Sequence, residues 1–251
     1  MGRLSITTVV AALILAGAGA TSAAAPPAYV TAAVADAGRP QADKDNDALR
    51  KPDEMVVLAD IKPGSSVLEI LPGGGYFARV FSKTVGAKGH LYEAITTPPP
   101  PAAGAPARPA PAIRGIAADA AYSNITVIEG PLDQVKTPAK VDVAWTSRNY
   151  HDLPPAVRPA VNKAVFDALK PGGVYVVLDH SAAKGAGEAA HQTLHRADED
   201  IVKAEVLAAG FKLDKEYDTL RHPADDRTKR VFDNAVRGQT DQFILKFRKP
   251  K

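Results

Sequence analysis

Two short segments of this 251-residue chain have side chains that could act on a substrate. Residues 149–152 (NYHD) and the pair Asp179 and His180 each follow an apolar, strand-like segment. A histidine can accept or release a proton near neutral pH, which is the task of a general acid or base. We therefore expect His151 first, and then His180, to act as a catalytic base, with Asp152 beside it.

A glycine-rich loop at residues 72–75 (PGGG) is the second candidate site. It follows an apolar segment and precedes a segment with helical spacing. Glycines let the backbone approach a ligand, and the N–H groups at a helix start favour an anionic group. Glu93 ends the next apolar segment, 18 residues after Gly75, and could accept both hydroxyls of a ribose. The alternative is an ordinary turn followed by a surface glutamate.

The segments around these residues alternate between short apolar strands and amphipathic helices. This order predicts an α/β fold with a mostly parallel sheet covered on both faces. In such a sheet, ligands bind at the carboxyl ends of the strands, where both candidate sites fall. The predicted strands are 66–71, 89–94, 125–128, 141–145, 174–178, 211–220 and 242–247, and the predicted helices are 53–59, 76–85, 113–122, 157–169 and 198–209.

The composition indicates an ordinary globular protein and excludes several classes of chemistry. Charged residues make up 24% of the chain and the net charge is only +3, so we expect no nucleic-acid partner. The absence of cysteine excludes disulfides, cysteine-ligated metals and thiol catalysis. We expect one domain at 43–251, with a Pro/Ala-rich surface excursion at 98–111 and a flexible lead-in at 26–42.

The amino terminus is typical of a secretory signal peptide, which we place at residues 1–25. Arg3 precedes an apolar run of 15 residues, and small residues follow it. The run is short for a membrane span, which needs about 20 apolar residues. We therefore expect an exported, periplasmic protein without stable membrane insertion after signal removal; the alternative is an uncleaved membrane anchor.

Four successive motifs resemble those of class I S-adenosylmethionine-dependent methyltransferases. They are VLEILPGGGYFARVF, HLYEA, VDVAWTSRNYHDL and LKPGGVYVVLDH, within residues 50–180. The tail motifs LHRADEDIVKAEVLAAGF and TDQFILKFRKP are similar to those of a small group of predicted bacterial methyltransferases with signal peptides. The resemblance implies a Rossmann-like methyltransferase sandwich, with seven strands and the last one antiparallel.

The resemblance also implies a cofactor, S-adenosylmethionine, and the residues that hold it. Glu69 would face the methionine moiety and Glu93 would hold the ribose, with the loop glycines Gly73, Gly74 and Gly75 along the cofactor's path. The chain departs from the family pattern at Leu71, where the first glycine of the motif is expected. Its isobutyl group is expected to crowd the adenosine.

On the acceptor side, the resemblance implies contacts from the segment after the fourth strand. Asn149 and Tyr150 are expected to line the substrate rim, together with His195 and Arg196 from a loop that folds over the crevice. His191 and His195 have the spacing of a zinc-binding helix, but glutamine replaces the general-base glutamate at position 192. We therefore expect no metal site.

The function expected from the sequence is methyl transfer from S-adenosylmethionine to an unidentified small-molecule acceptor. The alternative is an exported, non-catalytic binding protein that retains the methyltransferase fold. A metal-dependent hydrolase that uses His191 and His195 is a third, less favoured class.

Overall fold

The computed structural model describes residues 25–97 and 109–251. The predicted signal peptide, except for its last residue, and residues 98–108 of the Pro/Ala-rich segment lie outside these ranges. Within the described ranges, no helix combines the length and the apolar character that a membrane crossing requires.

The sheet contains seven strands: β1 (Ser66–Ile70), β2 (His90–Ile95), β3 (Ile125–Glu129), β4 (Val141–Ser147), β5 (Leu169–His180), β6 (Lys212–Tyr217) and β7 (Gln242–Arg248). Their order is β3-β2-β1-β4-β5-β7-β6. The pairs from β3 to β5 are parallel, and β7 is inserted antiparallel between β5 and β6. The predicted seven-stranded, mostly parallel sheet with an antiparallel last strand is confirmed.

Helices cover both faces of this sheet. They are α1 (Ala28–Val34), α2 (Gln41–Lys44), α3 (Asp47–Arg50), α4 (Pro52–Leu58), α5 (Tyr76–Val85), α6 (Ala112–Ala118), α7 (Arg158–Ala168), α8 (Gly187–Leu194) and α9 (Glu199–Ala208). α5 has the bounds predicted from its helical spacing. α7 ends at Ala168, one residue before its predicted end, and β5 begins at Leu169, five residues before the predicted strand 174–178.

Two hydrophobic cores lie on opposite faces of the sheet. Alternate residues of a strand point to opposite faces, and Val67 and Leu68 of β1 belong to different cores. The first core contains Trp145 against the aromatic rings of α5, and the second contains apolar residues of α7 and α9. Both faces are therefore buried, as in an α/β sandwich.

The segment 26–42 is not the flexible lead-in that its Ala/Pro-rich composition indicated. It contains α1, in which Val30 is fully buried in the first core and Ala33 is buried beside it. Arg39, also buried, donates hydrogen bonds to both carboxylate oxygens of Asp47 at 2.9 and 2.6 Å. Apolar burial and a buried ion pair thus hold this segment against the domain.

The carboxyl ends of β1, β4 and β5 are adjacent because these strands are neighbours in the sheet. The glycine loop follows β1, residues 148–152 follow β4, and Asp179 and His180 end β5. The topology therefore brings the two candidate sites to one edge of the sheet.

Candidate functional site

The glycine loop joins β1 to α5 with a backbone that needs glycine at two positions. Gly73 and Gly75 have left-handed φ angles of 56° and 77°. A Cβ on Gly75 would lie 2.2 Å from Cδ1 of Ile116, whereas a Cβ on Gly73 or Gly74 would meet nothing within 4 Å. Gly75 is therefore required for packing as well, and the other two glycines border open space.

Leu71 adopts a left-handed backbone with a φ of 57°, a conformation that favours glycine. Its half-buried side chain packs against the second core and does not line the cavity beside the glycine loop. Nδ2 of Asn149 donates a hydrogen bond of 2.7 Å to the Leu71 carbonyl oxygen. The isobutyl group therefore does not narrow this cavity, and the expected crowding of the adenosine stays a prediction.

A cavity of about 300 Å³ lies at the carboxyl ends of β1 and β4. Its lining includes four residues predicted from the sequence, namely Glu69, Gly73, Gly74 and Asn149. The amino-terminal segment 43–50 and α5 contribute further lining residues, namely Asp43, Asn46, Arg50, Tyr76 and Phe77. A larger cavity of about 690 Å³ lies at the opposite edge of the sheet, away from the positions where such sheets bind ligands.

Two arginines that the sequence analysis did not single out line the same cavity. The Arg50 guanidinium carbon lies 4.0 Å from the ring centroid of Tyr76, and Nε of Arg148 donates to Gln242 at 2.9 Å. Burial lowers the pKa of both, and for Arg148 burial and the Arg50 charge lower it to about 10. In the described part of the chain neither guanidinium pairs with a carboxylate, so an anionic ligand group would stabilise both.

Glu69 and Glu93 are partners in the register of β1 and β2, and both are buried. Burial raises the pKa of Glu69 to about 8, although the neighbouring Glu93 carboxyl and the Arg50 charge oppose it. Burial and the neighbouring Glu69 raise the pKa of Glu93 well above its ordinary value. Both carboxyls of the pair therefore hold protons more readily than an exposed glutamate does.

The sequence analysis expected Glu93 to end its strand, and this expectation is wrong. β2 continues to Ile95, and Glu93 does not line the cavity. Within the described ranges, no residue forms a hydrogen bond with either carboxyl oxygen of Glu93 or with Oε2 of Glu69. These oxygens could accept hydrogen bonds from a ligand, and a role of Glu93 at a ribose stays a prediction.

His151 is held by the buried carboxylate of Asp179. Nδ1 of His151 donates to Oδ1 of Asp179 at 2.8 Å, and the backbone N–H of His151 donates to Oδ2 at 2.8 Å. Burial would raise the pKa of Asp179, but the neighbouring His151 lowers it below its usual value. Because the carboxylate accepts the Nδ1 proton, Nε2 of His151 presents its lone pair on the other side of the ring.

Asp152 and His195 lie on that other side. Oδ1 of Asp152 is 3.4 Å from Nε2 of His151 and 3.5 Å from Nδ1 of His195. The rings of His151 and His195 are perpendicular, with centroids 5.4 Å apart. The structure thus groups these three predicted residues, from two separate parts of the chain, into one cluster.

Three other predicted site residues are buried for structural reasons. His180 shares a hydrogen bond with Oγ1 of Thr240, and burial lowers its pKa to about 3. The hydroxyl of Tyr150 donates to Glu205, and Arg196 forms a fully buried ion pair with Asp225. The prediction that Tyr150 and Arg196 line the substrate rim is wrong, because both side chains are buried. The lowered pKa keeps the His180 ring neutral.

The two histidines with zinc-helix spacing do not face each other. His191 is buried, with its Nδ1 2.8 Å from Nη2 of Arg158 and its Nε2 3.3 Å from the backbone nitrogen of Asp198. His195 follows the last residue of α8 with a left-handed φ of 55°, which turns it away from the helix face of His191. The structure therefore does not form the pair that the hydrolase alternative needs.

The strand order, the antiparallel β7 and the glycine loop after β1 define the class I S-adenosylmethionine-dependent methyltransferase fold. No protein-family model and no curated protein matches the chain in sequence. Solved structures with this fold nevertheless match most of its length.

A methyltransferase from Aquifex aeolicus, described as SAM-dependent, matches with a TM-score of 0.55 at 15% identity, over 81% of this chain and 98% of that one. The glycopeptide N-methyltransferase MtfA, solved with S-adenosylmethionine, has a TM-score of 0.53 at 15% identity, over 80% and 87% of the two chains. The (4+2)-cyclase SpnF has a TM-score of 0.57 at 17% identity, over 81% of each chain. Because a cyclase shares the fold, the fold alone does not determine the reaction.

Proposed function

We propose that this chain binds S-adenosylmethionine and transfers its methyl group to a small-molecule acceptor. The observation that supports this most is the cavity at the carboxyl ends of β1 and β4, which combines open glycines, Glu69 and two arginines without carboxylate partners. A ligand with a carboxylate and cationic centres complements these groups. The amino-acid half of S-adenosylmethionine has this charge pattern.

Different residues of the site would bind different parts of the cofactor. Gly73 and Gly74 leave room for a ligand beside the backbone. Arg50 would pair with the carboxylate, and Glu69 would stabilise the ammonium and sulfonium charges once it ionises. Glu93, with both oxygens unsatisfied, is proposed for the ribose hydroxyls. The cofactor supplies an electrophilic methyl group on sulfur.

The acceptor is proposed to lie against His151, Asp152 and His195. Methyl transfer is an in-line displacement, so holding the acceptor in line with the methyl group supplies much of the acceleration. Asn149 connects the two regions, since it lines the cavity and precedes His151 by two residues in the chain. The acceptor must lose its proton, and His151 and Asp152 are the polar groups placed to act on it.

Calorimetric titration of the chain with S-adenosylmethionine and with S-adenosylhomocysteine tests the proposal. We expect micromolar binding, weakened at least tenfold in Glu69→Gln and unchanged in Glu54→Gln, which alters an exposed glutamate. Absent binding by the folded chain would contradict the proposal and favour a non-catalytic scaffold for another ligand. Binding without methyl transfer would identify a binding protein for the cofactor.

Export through residues 1–25 belongs to the same proposal and rests on the sequence motif. Periplasmic fractionation and amino-terminal sequencing test it. We expect a chain that begins after one of the small residues preceding Pro26.

A further inference from the structure

The cluster of His151, Asp152 and His195 has spacings that suit metal ligands better than hydrogen-bonded partners. The two distances from Oδ1 of Asp152 to the histidine nitrogens are 3.4 and 3.5 Å. A charge-assisted hydrogen bond between such groups is about 2.7–2.9 Å long. Ligand atoms about 2.0–2.1 Å from a tetrahedral zinc ion lie about 3.3–3.4 Å from one another. All three ligand atoms lie within 4.8 Å of each other.

The contact of His151 with Asp179 leaves Nε2 of His151 available to a metal ion. The Nδ1 proton of this histidine is donated to Asp179, so in the neutral ring Nε2 has a lone pair directed at the Asp152 carboxylate. Two acceptors that face each other repel unless a cation, either a proton on Nε2 or a metal ion, lies between them. A divalent ion bound to both atoms removes this repulsion.

Asp179 is the partner that a metal-binding histidine normally requires. Ligating histidines usually donate their second ring N–H to a carboxylate, which fixes the tautomer and the ring orientation. Asp179 also accepts the backbone N–H groups of His151 and His180, at 2.8 and 2.7 Å. The His151 ring is therefore positioned before any ion binds.

His195 is positioned from the other side. The Phe232 ring packs edge-on against it, with centroids 5.0 Å apart. Nε2 of His195 lies 3.2 Å from the guanidinium of Arg230. A metal on Nδ1 would put the ring proton on Nε2, so Arg230 must turn away, which its exposed position allows.

We propose that His151 Nε2, Asp152 Oδ1 and His195 Nδ1 bind one divalent transition-metal ion, with zinc as the best fit. Two imidazoles and one carboxylate suit zinc, and three protein ligands leave a coordination position open. If the proposed function is correct, this position would take the acceptor, and the ion, acting as a Lewis acid on it, would replace the proton-accepting role of the metal-free His151 and Asp152. The binding of the ion itself does not depend on methyl transfer.

Titration of the untagged, chelator-treated chain with zinc chloride and with cobalt(II) tests the proposal. We expect one ion per chain with micromolar or tighter affinity, and a cobalt spectrum typical of a four-coordinate site. His195→Ala and Asp152→Asn should each weaken zinc binding at least tenfold. His90→Ala and Asp226→Asn, which change the same residue types elsewhere, should leave it unchanged.

A wild-type chain that binds no zinc, or a His195→Ala variant with unchanged affinity, would overturn the metal site. His195 and Asp152 are tested because neither is buried, so their variants should fold; circular dichroism checks this. S-adenosylmethionine titration of the same samples separates the two proposals. Cofactor binding without zinc binding contradicts only the metal site, and zinc binding without cofactor binding contradicts only the proposed function.

Discussion

The protonation of Glu69 links cofactor binding to pH. Burial raises its pKa, so part of the population is protonated near neutral pH. A cationic ligand favours the ionised carboxylate, and binding therefore releases a proton. We expect the affinity for S-adenosylmethionine to rise with pH up to about pH 8, the pKa of Glu69 in the free chain, by at most about tenfold per pH unit for this group.

Calorimetry at several pH values measures this dependence. The slope should be much smaller in Glu69→Gln and should stay at the wild-type value in Glu54→Gln. An equal slope in wild type and Glu69→Gln would show that another group is responsible.

Leu71 replaces a glycine of the family motif but keeps the left-handed backbone conformation that favours glycine. A left-handed backbone costs a non-glycine residue about 1–2 kcal/mol, and glycine avoids this cost. We therefore expect Leu71→Gly to be more stable than Leu71→Ala by about 0.5–1 kcal/mol, the reverse of the order in helices. Urea denaturation measures both. Leu207, an exposed position in α9, serves as the control. There we expect Leu207→Ala to be more stable than Leu207→Gly by about 1 kcal/mol.

At the scale of elements, α1 is a structural part of the domain. Val30 is fully buried, whereas Val57 in α4 is 46% exposed. Val30→Ala should lower the free energy of unfolding by about 1–3 kcal/mol, since it leaves a cavity in the first core. Val57→Ala should change it by less than about 0.5 kcal/mol. Equal effects in urea denaturation would mean that α1 does not pack as described.

The sequence predicted the central elements well because their patterns are local. The strands and α5 show apolar periodicity within a few residues, and the glycine loop follows from its composition. α1 was missed because its alanines and the neighbouring prolines resemble a linker, and only the distant contacts of Val30 and Arg39 reveal its burial.

The site was less predictable because its partners are distant in sequence. Nothing in the spacing indicates that Arg50 and Arg148 share a cavity, or that His195 meets Asp152. Adjacent residues were also assigned one role although they face different ways: Arg196 pairs with Asp225 in the interior, while His195 faces the cluster. Motifs located the correct edge of the sheet, but only tertiary structure shows which side chains face the ligand.

At the scale of the whole molecule, the buried glutamate pair makes stability depend on pH. The folded pKa values of Glu69 and Glu93 are raised above the ordinary glutamate value of 4.5. Protonation of such groups stabilises the folded state, so their contribution is fully present below the unfolded pKa. It is lost as the pH rises towards the folded pKa. The slope is at most about 1.4 kcal/mol per pH unit for each carboxyl.

Replacing Glu93, one of the two carboxyls with a raised pKa, should remove much of this dependence. We expect the free energy of unfolding of wild type, relative to Glu93→Gln, to fall between about pH 5 and 8. Urea denaturation across this range measures the difference, and Glu54→Gln should follow the wild-type curve. Parallel curves for wild type and Glu93→Gln would mean that the pair is ionised or solvated in the folded chain. Water would then already bind the carboxyl oxygens of Glu69 and Glu93. These oxygens would not need hydrogen bonds from the cofactor, and their proposed role in binding it would lose its support.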